Sequence, residues 1–319
     1  MKIIKATDPI LVEHPVFLLF GQPGICKTSL GYSADEPILL DADQGAHRAV
    51  NRRDTIAVDD WKDINELLDA KGALDPYKTI VLDTVGRVLD HLTVALIEEN
   101  PKFDRGGGSL SLPGFGALKA RFQTFLMRAR SLGKDVVMIA HGKEDKDGDS
   151  VIIRPDVTGG SFAEIMKVAD FVGYIYMRGK DRVLDFNPTD RWVGKNPAQW
   201  KPIILPPAEK ATRVLAGLMA QGREALGAIS GESAKLAQQV DESRAALGGY
   251  TTTEQLTRAV GVLAIMPTIV QAQVRVLIAE RAKALGFTFD KATHVFVAPT
   301  PAVPTPAVDR APTAQELGF

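Results

Sequence analysis

Residues 16–21 read VFLLFG, a run of large apolar side chains with no polar alternation that stops at a glycine. A strand with one wet face alternates apolar and polar side chains; a run like this one must be covered on both faces. The same texture recurs at 38–40 (ILL, ending in Asp41), 79–82 (TIVL, ending in Asp83), 135–140 (DVVMIA, ending in His141) and 171–177 (FVGYIYM). Residues 27–33, 61–71, 87–99 and 118–132 carry helical patterns between these runs. Strand and helix in alternation predict an α/β domain with a mostly parallel central sheet. Four of the runs end in glycine or a polar residue at their C-terminal edge, where open sheets of this kind take their ligands.

The first run leads directly into Gly21, Gln22, Pro23, Gly24, Ile25, Cys26, Lys27, Thr28 and Ser29. A strand, a glycine-containing loop ending in Lys-Thr, and a helix are the context of a phosphate-binding loop. Glycines let backbone N–H groups turn toward phosphates, and the following helix start adds partial positive charge. In that reading the ligand is ATP with Mg²⁺: Lys27 reaches the β- and γ-phosphates and Thr28 puts its hydroxyl on the metal. One position departs from the motif, because Cys26 stands where glycine normally precedes the lysine. A Cβ there crowds the phosphates or strains the backbone.

The carboxylates at the strand ends have two readings each. Asp83 suits a second-sphere Mg²⁺ ligand acting through water, or an N-cap for the following helix. Asp41 and Asp43, in LLDADQG, suit either polarisation of an attacking water or plain turn formation. His141, at the same edge, suits a γ-phosphate sensor or a structural role.

Composition narrows the field. Thirty-eight Lys and Arg against 39 Asp and Glu give a net charge of −1, so any affinity for nucleic acid must come from a local patch. One cysteine excludes a disulfide framework and a cysteine-built zinc site. The five histidines show no metal-binding spacing, and no stretch is long and apolar enough to span a bilayer, so the expected location is cytoplasmic, with no membrane contact. After the proline pair at 206–207 the chain turns Ala-, Leu-, Gln- and Glu-rich, with helices expected at 208–226, 233–247 and 270–285. From residue 298 it is proline-rich and expected to be disordered. The predicted organisation is a core over 1–205, a helical appendage over 206–297 and a tail over 298–319.

Taken in order, the phosphate loop, LLDAD, TIVLD, the glycine-rich stretch 105–116, His141 and Thr158-Gly159-Gly160 resemble the RecA-type recombinase core, and most closely the phage-encoded RecA-like ATP-binding proteins that assist single-strand annealing. The resemblance covers residues 15–177. It implies a RecA-like P-loop NTPase fold, Asp43 as the water-activating base, Asp83 on Mg²⁺, His141 in place of a sensing glutamine, and Lys143 and Lys146 reaching a neighbouring subunit's γ-phosphate in a homo-oligomer. It also implies that residues 105–116 face single-stranded DNA. Residues 102–134 hold seven Lys and Arg against one Asp, so Arg105, Lys119 and Arg121 are the expected phosphate contacts, with Phe115 stacking on a base. The function expected is slow, DNA-dependent ATP hydrolysis supporting annealing. A non-catalytic, nucleotide-gated interaction protein and a small RecA-fold helicase or translocase are the alternatives. The tail tip, Glu316-Leu317-Gly318-Phe319, offers two apolar anchors for a single-strand-binding protein.

Overall fold

The computed structural model describes residues 3–147, 150–157 and 161–299. The expected loop closure at Thr158-Gly159-Gly160 and all but the first two residues of the proline-rich tail lie outside the described residues. The chain divides into two compact units, one of residues 10–230 and one of residues 1–9 with 231–319.

In the larger unit, β1 (Val16–Gly21) leads into α1 (Lys27–Gly31), then β2 (Pro37–Asp41), β3 (Thr55–Ala57), α2 (Trp61–Asp69) and β4 (Thr79–Asp83). Next come α3 (Val85–Glu99), a small hairpin of β5 (Asp104–Gly106) and β6 (Ser109–Leu110), α4 (Leu112–Ser131) and β7 (Asp135–Asp147). The unit continues through β8 (Ser150–Pro155), α5 (Ser161–Val168), β9 (Phe171–Arg178), β10 (Asp181–Asp185), β11 (Ile203–Leu205) and the start of α6 (Val214–Gly248). The sheet runs β11-β10-β9-β1-β7-β4-β2-β3, parallel from β3 to β9 and antiparallel at β10 and β11. The fold is α/β with a mostly parallel central sheet, as the unalternating apolar runs require.

β1 shows why its sequence does not alternate. Val16, Leu18 and Phe20 enter the cluster that holds Trp61, Leu89 and Phe125, while Phe17 and Leu19 enter the opposite one with Tyr32, Phe171 and Leu215. All five side chains are fully buried, and each contributes roughly 1.5–3 kcal/mol relative to exposure.

Three elements differ from the expected pattern. β7 does not stop at His141; it continues and pairs with β8 as an antiparallel hairpin from Gly142↔Pro155 onward. The charged stretch KEDKD has low strand propensity, and its pairing with β8 draws it into a two-stranded, solvent-facing ribbon. The glycine-rich stretch is a short hairpin in which Gly106, Gly107 and Gly108 all take positive φ, and α4 begins at Leu112 with Pro113 in its first turn. The two helices expected over 208–226 and 233–247 are one, α6, because isolated glycines at 227 and 231 weaken a helix without breaking it. The division between units therefore falls inside α6, at Ser230, and not at the proline pair. Leu215, Leu218 and Met219 belong to the core of the larger unit.

The smaller unit holds the rest of α6, α7 (Thr253–Val262), α8 (Thr268–Ala284) and a hairpin of β12 (Thr288–Asp290) with β13 (Val295–Val297). A Thr252–Gln255 capping box starts α7, and Gly286 takes φ 72° just beyond α8. Val240, Leu256, Val270, Val274 and Ile278 form its core. No described helix is long and apolar enough to cross a membrane.

Candidate nucleotide site

The register brings the chemistry together. Asp41 lies opposite Asp83 across β2 and β4, and Gly21 lies opposite His141 across β1 and β7. Four strand ends thus place their polar residues on one edge, with the 21–28 loop among them. Gly21 is fixed by sterics: a Cβ there would lie 2.5 Å from the carbonyl oxygen of Ile175.

Within the loop, Gln22, Pro23 and Gly24 are exposed, whereas Ile25 is buried in the core on one side of the sheet. Gly24 takes φ 77° with open space around it. Cys26 is left-handed as well, at φ 62° and ψ 35°. This explains why the motif favours glycine at that position: an L-residue there carries a strain of about 1–2 kcal/mol. The cysteine side chain is exposed. α1 is only five residues long, so its dipole is small and the loop amides and Lys27 must supply most of the attraction for phosphate. Lys27 is 6% exposed, and its Nζ donates to the carbonyls of Gly21 (3.0 Å) and Gln22 (2.8 Å). Burial pushes its pKa down, opposed by the nearby charges of Asp83 and Asp43. Ser29 is buried, and its Oγ accepts from the amide of Val50 at 3.0 Å, so it anchors the loop after β2.

Asp83 is 4% exposed, and burial raises its pKa, opposed by a hydrogen bond from Thr28 and the charge of Lys27. It does not cap α3: the N-cap position is Thr84, without a side-chain cap bond. The Asp83 carboxylate is therefore not taken up in capping α3, and with the Thr28 hydroxyl it matches the donor set of a Mg²⁺ site. Asp41 and Asp43, equivalent in the sequence, part company here. Asp41 accepts from the amides of Gly45 and Ala46, both at 2.9 Å, and so builds the turn. Asp43 faces a cavity of about 240 Å³ lined by Thr84, Gly86, Arg87, Asp90, His141 and Asp156. One of its carboxylate oxygens lies 3.6 Å from Arg87 Nε and the other 3.6 Å from His141 Nε2. The Asp43 amide and that of Ala42 donate to the carbonyl of Asp83, at 3.2 and 2.8 Å, which ties the two acidic strand ends together. Arg87 was not singled out from the sequence. Its signal is slight: it lies four residues after the strand-end aspartate, on the first turn of the helix that leaves this edge.

A family model described as an AAA domain matches residues 13–198. The chain belongs to that family. The match takes in every residue of this edge and ends before α6. No curated protein is similar to the chain as a sequence. An AAA domain binds a nucleotide, typically with Mg²⁺, and the residues here fit that pair: Lys27 and the loop amides for phosphates, Thr28 and Asp83 for the metal. Among the described residues no cluster of three or more His, Cys, Asp or Glu is placed to hold a metal by itself.

The residues expected at DNA are placed differently from one another. Arg105 is exposed on the β5–β6 hairpin, and neither it nor Lys102 has a carboxylate within ion-pair distance among the described residues. Lys119 is paired with Glu164 at 2.9 Å, and Arg121 grips Glu99 with both guanidinium ends at 2.9 and 2.8 Å. Arg128 and Arg130 pair with Asp69 and Asp170, and Lys134 is buried on the carbonyls of Leu74 and Tyr77. The seven cations thus form no single free face. Phe115 is half-buried against the core. Lys143, at the base of the β7–β8 hairpin, lies 3.8 Å from Asp156, and Lys146 is exposed further along it.

Proposed function

We propose that this AAA domain binds MgATP at the edge described and hydrolyses it slowly, with Asp43 as the water-activating base. The separation of the two aspartates carries the reading: Asp41 is engaged by backbone amides, whereas Asp43 lines a cavity with Thr84 and His141 and lies close enough to Lys27 for their charges to interact. Bound MgATP supplies the electrophilic phosphorus and the metal charge. The chain's own part is to hold the phosphates with Lys27 and the loop, to hold the metal with Thr28 and Asp83, and to accept a proton at the Asp43 carboxylate. Arg87 Nε and His141 Nε2, each 3.6 Å from one oxygen of that carboxylate, orient it.

The finer proposal is that the nucleotide state governs binding to single-stranded DNA by a homo-oligomer of the kind that assists phage annealing. It is supported by Arg105, on a hairpin of three glycines with open space at each, and Lys102, in the turn before it, neither of which has an acidic partner among the described residues. The flanking of both Asp43 oxygens by Arg87 and His141 favours one second reading, a nucleotide-gated interaction protein without useful turnover. ATP hydrolysis measured with and without single-stranded DNA, in the parent and in Asp43→Asn, tests both. The first reading expects DNA-stimulated turnover that Asp43→Asn removes while ATP affinity stays. Turnover at the background level in the parent, with ATP still bound, selects the second.

A further inference from the structure

A second group of free positive charges in the larger unit lies outside the stretch that the sequence count favours. Between β2 and β3 the chain reads His47, Arg48, Ala49, Val50, Asn51, Arg52, Arg53, Asp54. His47, Arg48, Arg52 and Arg53 are all exposed, and among the described residues no carboxylate lies within ion-pair distance of the three arginines. The acids and bases nearest in the fold are few. Asp54 accepts from the Tyr77 hydroxyl at 2.8 Å, and the turn at 208–210, reached through Asn51 Nδ2 on the carbonyl of Ala208, brings Glu209 and Lys210, which offset each other.

This loop is rigidly mounted. Its start is held by Asp41 through the amides of Gly45 and Ala46, and its middle by Ser29 Oγ on the amide of Val50. Both anchors belong to the nucleotide edge. The loop exposes no large apolar side chain, so it lacks the apolar centre of a protein–protein interface. Exposed arginines on a fixed frame suit a chain of phosphates.

We propose that the 47–53 loop is a contact surface for the phosphate backbone of single-stranded nucleic acid, with Arg48, Arg52 and Arg53 as the contacts. The inference rests on the reading that the protein binds single-stranded DNA, and it moves the main contact to a loop fastened to the phosphate-binding helix. The test is the salt dependence of binding to a labelled oligothymidylate at saturating ATP. It uses the full chain, Arg48→Ala/Arg52→Ala/Arg53→Ala, the same triple change to Lys, and Lys102→Ala/Arg105→Ala. At about 0.7 in slope for each single-strand phosphate contact, the triple alanine variant should lose about 2 from the log–log slope. The lysine variant should keep the parental slope, and ATP affinity should be the same in all. A triple alanine variant with the parental slope overturns the inference, and if Lys102→Ala/Arg105→Ala then loses slope, the DNA reading survives without it. A parent with no affinity for the oligonucleotide in any nucleotide state removes both. A triple variant that loses ATP affinity, or whose sedimentation mass falls while its monomer-level DNA affinity is unchanged, assigns the loop to the nucleotide or to a second copy and overturns the proposal.

Discussion

Helix α4 with its flanking residues carries seven cations, and the loop between β2 and β3 carries three arginines and a histidine; counted along the chain, the first is the more basic. In the folded unit the order reverses. Glu99, Asp69, Glu164 and Asp170 come from α3, α2, α5 and the turn before β9 to meet the cations of α4, while among the described residues no carboxylate comes within ion-pair distance of Arg48, Arg52 or Arg53. A basic segment is a binding surface only if the fold leaves its charge uncompensated. Local counting cannot see this, because the compensating acids lie 22 to 59 residues away. Lys27 and Lys134 make the same point for buried cations. Each is buried with its Nζ on two carbonyls, but Lys134 closes the turn before β7 at the far edge of the sheet, whereas Lys27 is on the ligand edge, within the influence of the charges of Asp83 and Asp43.

The largest effect should come from the buried cation at that ligand edge. Lys27→Ala should weaken ATP binding at least about 100-fold, the loss of a charge-assisted contact in a dry site, with the thermal midpoint in the absence of nucleotide unchanged or raised. A titration with a fluorescent ATP analogue decides it. Affinity within threefold of the parent would place Lys27 with Lys134 as a structural cation.

Second in size is a paired cation over a buried acid. Arg223 Nη2 lies 2.6 Å from Asp135, whose side chain is 7% exposed, with His14 3.4 Å away on the other oxygen. Burial raises the pKa of Asp135, against the pull of Arg223 and His14. Arg223→Ala should cost about 2–3 kcal/mol of stability at pH 7, less than for a fully buried pair because the arginine is partly exposed, and should leave ATP affinity unchanged. The sign of the pH dependence follows from the raised pKa. Without Arg223 the folded-state pKa rises further, so the loss is full above it and shrinks as pH falls toward the ordinary carboxylate range. Urea unfolding at neutral and mildly acidic pH checks both. A loss that grows on acidification contradicts the assignment.

Third, Cys26→Gly should stabilise the nucleotide-free protein by about 1 kcal/mol, since glycine takes φ 62° without strain. ATP affinity should hold or improve. A fall in both thermal midpoint and affinity would give the cysteine side chain a positive role.

What the sequence disclosed and what it withheld follow one physical division. The parallel sheet was legible because runs such as 16–20 must be buried on both faces whatever packs on them. The ligand edge was legible because Gly21, Lys27, Asp83 and His141 each end or follow such a run, so their alignment needs only parallel strands. Three things were not. Asp41 and Asp43 differ only in which backbone amides reach them, and those amides belong to a turn whose shape is a tertiary outcome. The extension of β7 past His141 depends on β8 coming back to pair with it. The pairing of the α4 cations depends on acids from three helices and a turn in other parts of the chain.

The smallest effect is the most direct test of that division. Arg121 holds Glu99 with two hydrogen bonds on a surface where the two side chains are 36% and 52% exposed. The guanidinium lowers the Glu99 pKa, so the pair's contribution is present above the ordinary carboxylate range and fades as pH falls through the lowered value. Solvent screening keeps it small: a cycle of Arg121→Ala, Glu99→Ala and the double variant should return a coupling of about 0.3–1 kcal/mol at pH 7, reduced at high salt. Arg121→Ala should leave the salt slope of single-stranded DNA binding where it was, because its charge is already answered by Glu99. Glu99→Ala frees that charge without removing it. If Arg121→Ala flattens the slope by about as much as one arginine of the 47–53 loop does, compensation within the fold does not silence a basic residue, and the contrast between the two regions fails at its weakest pair.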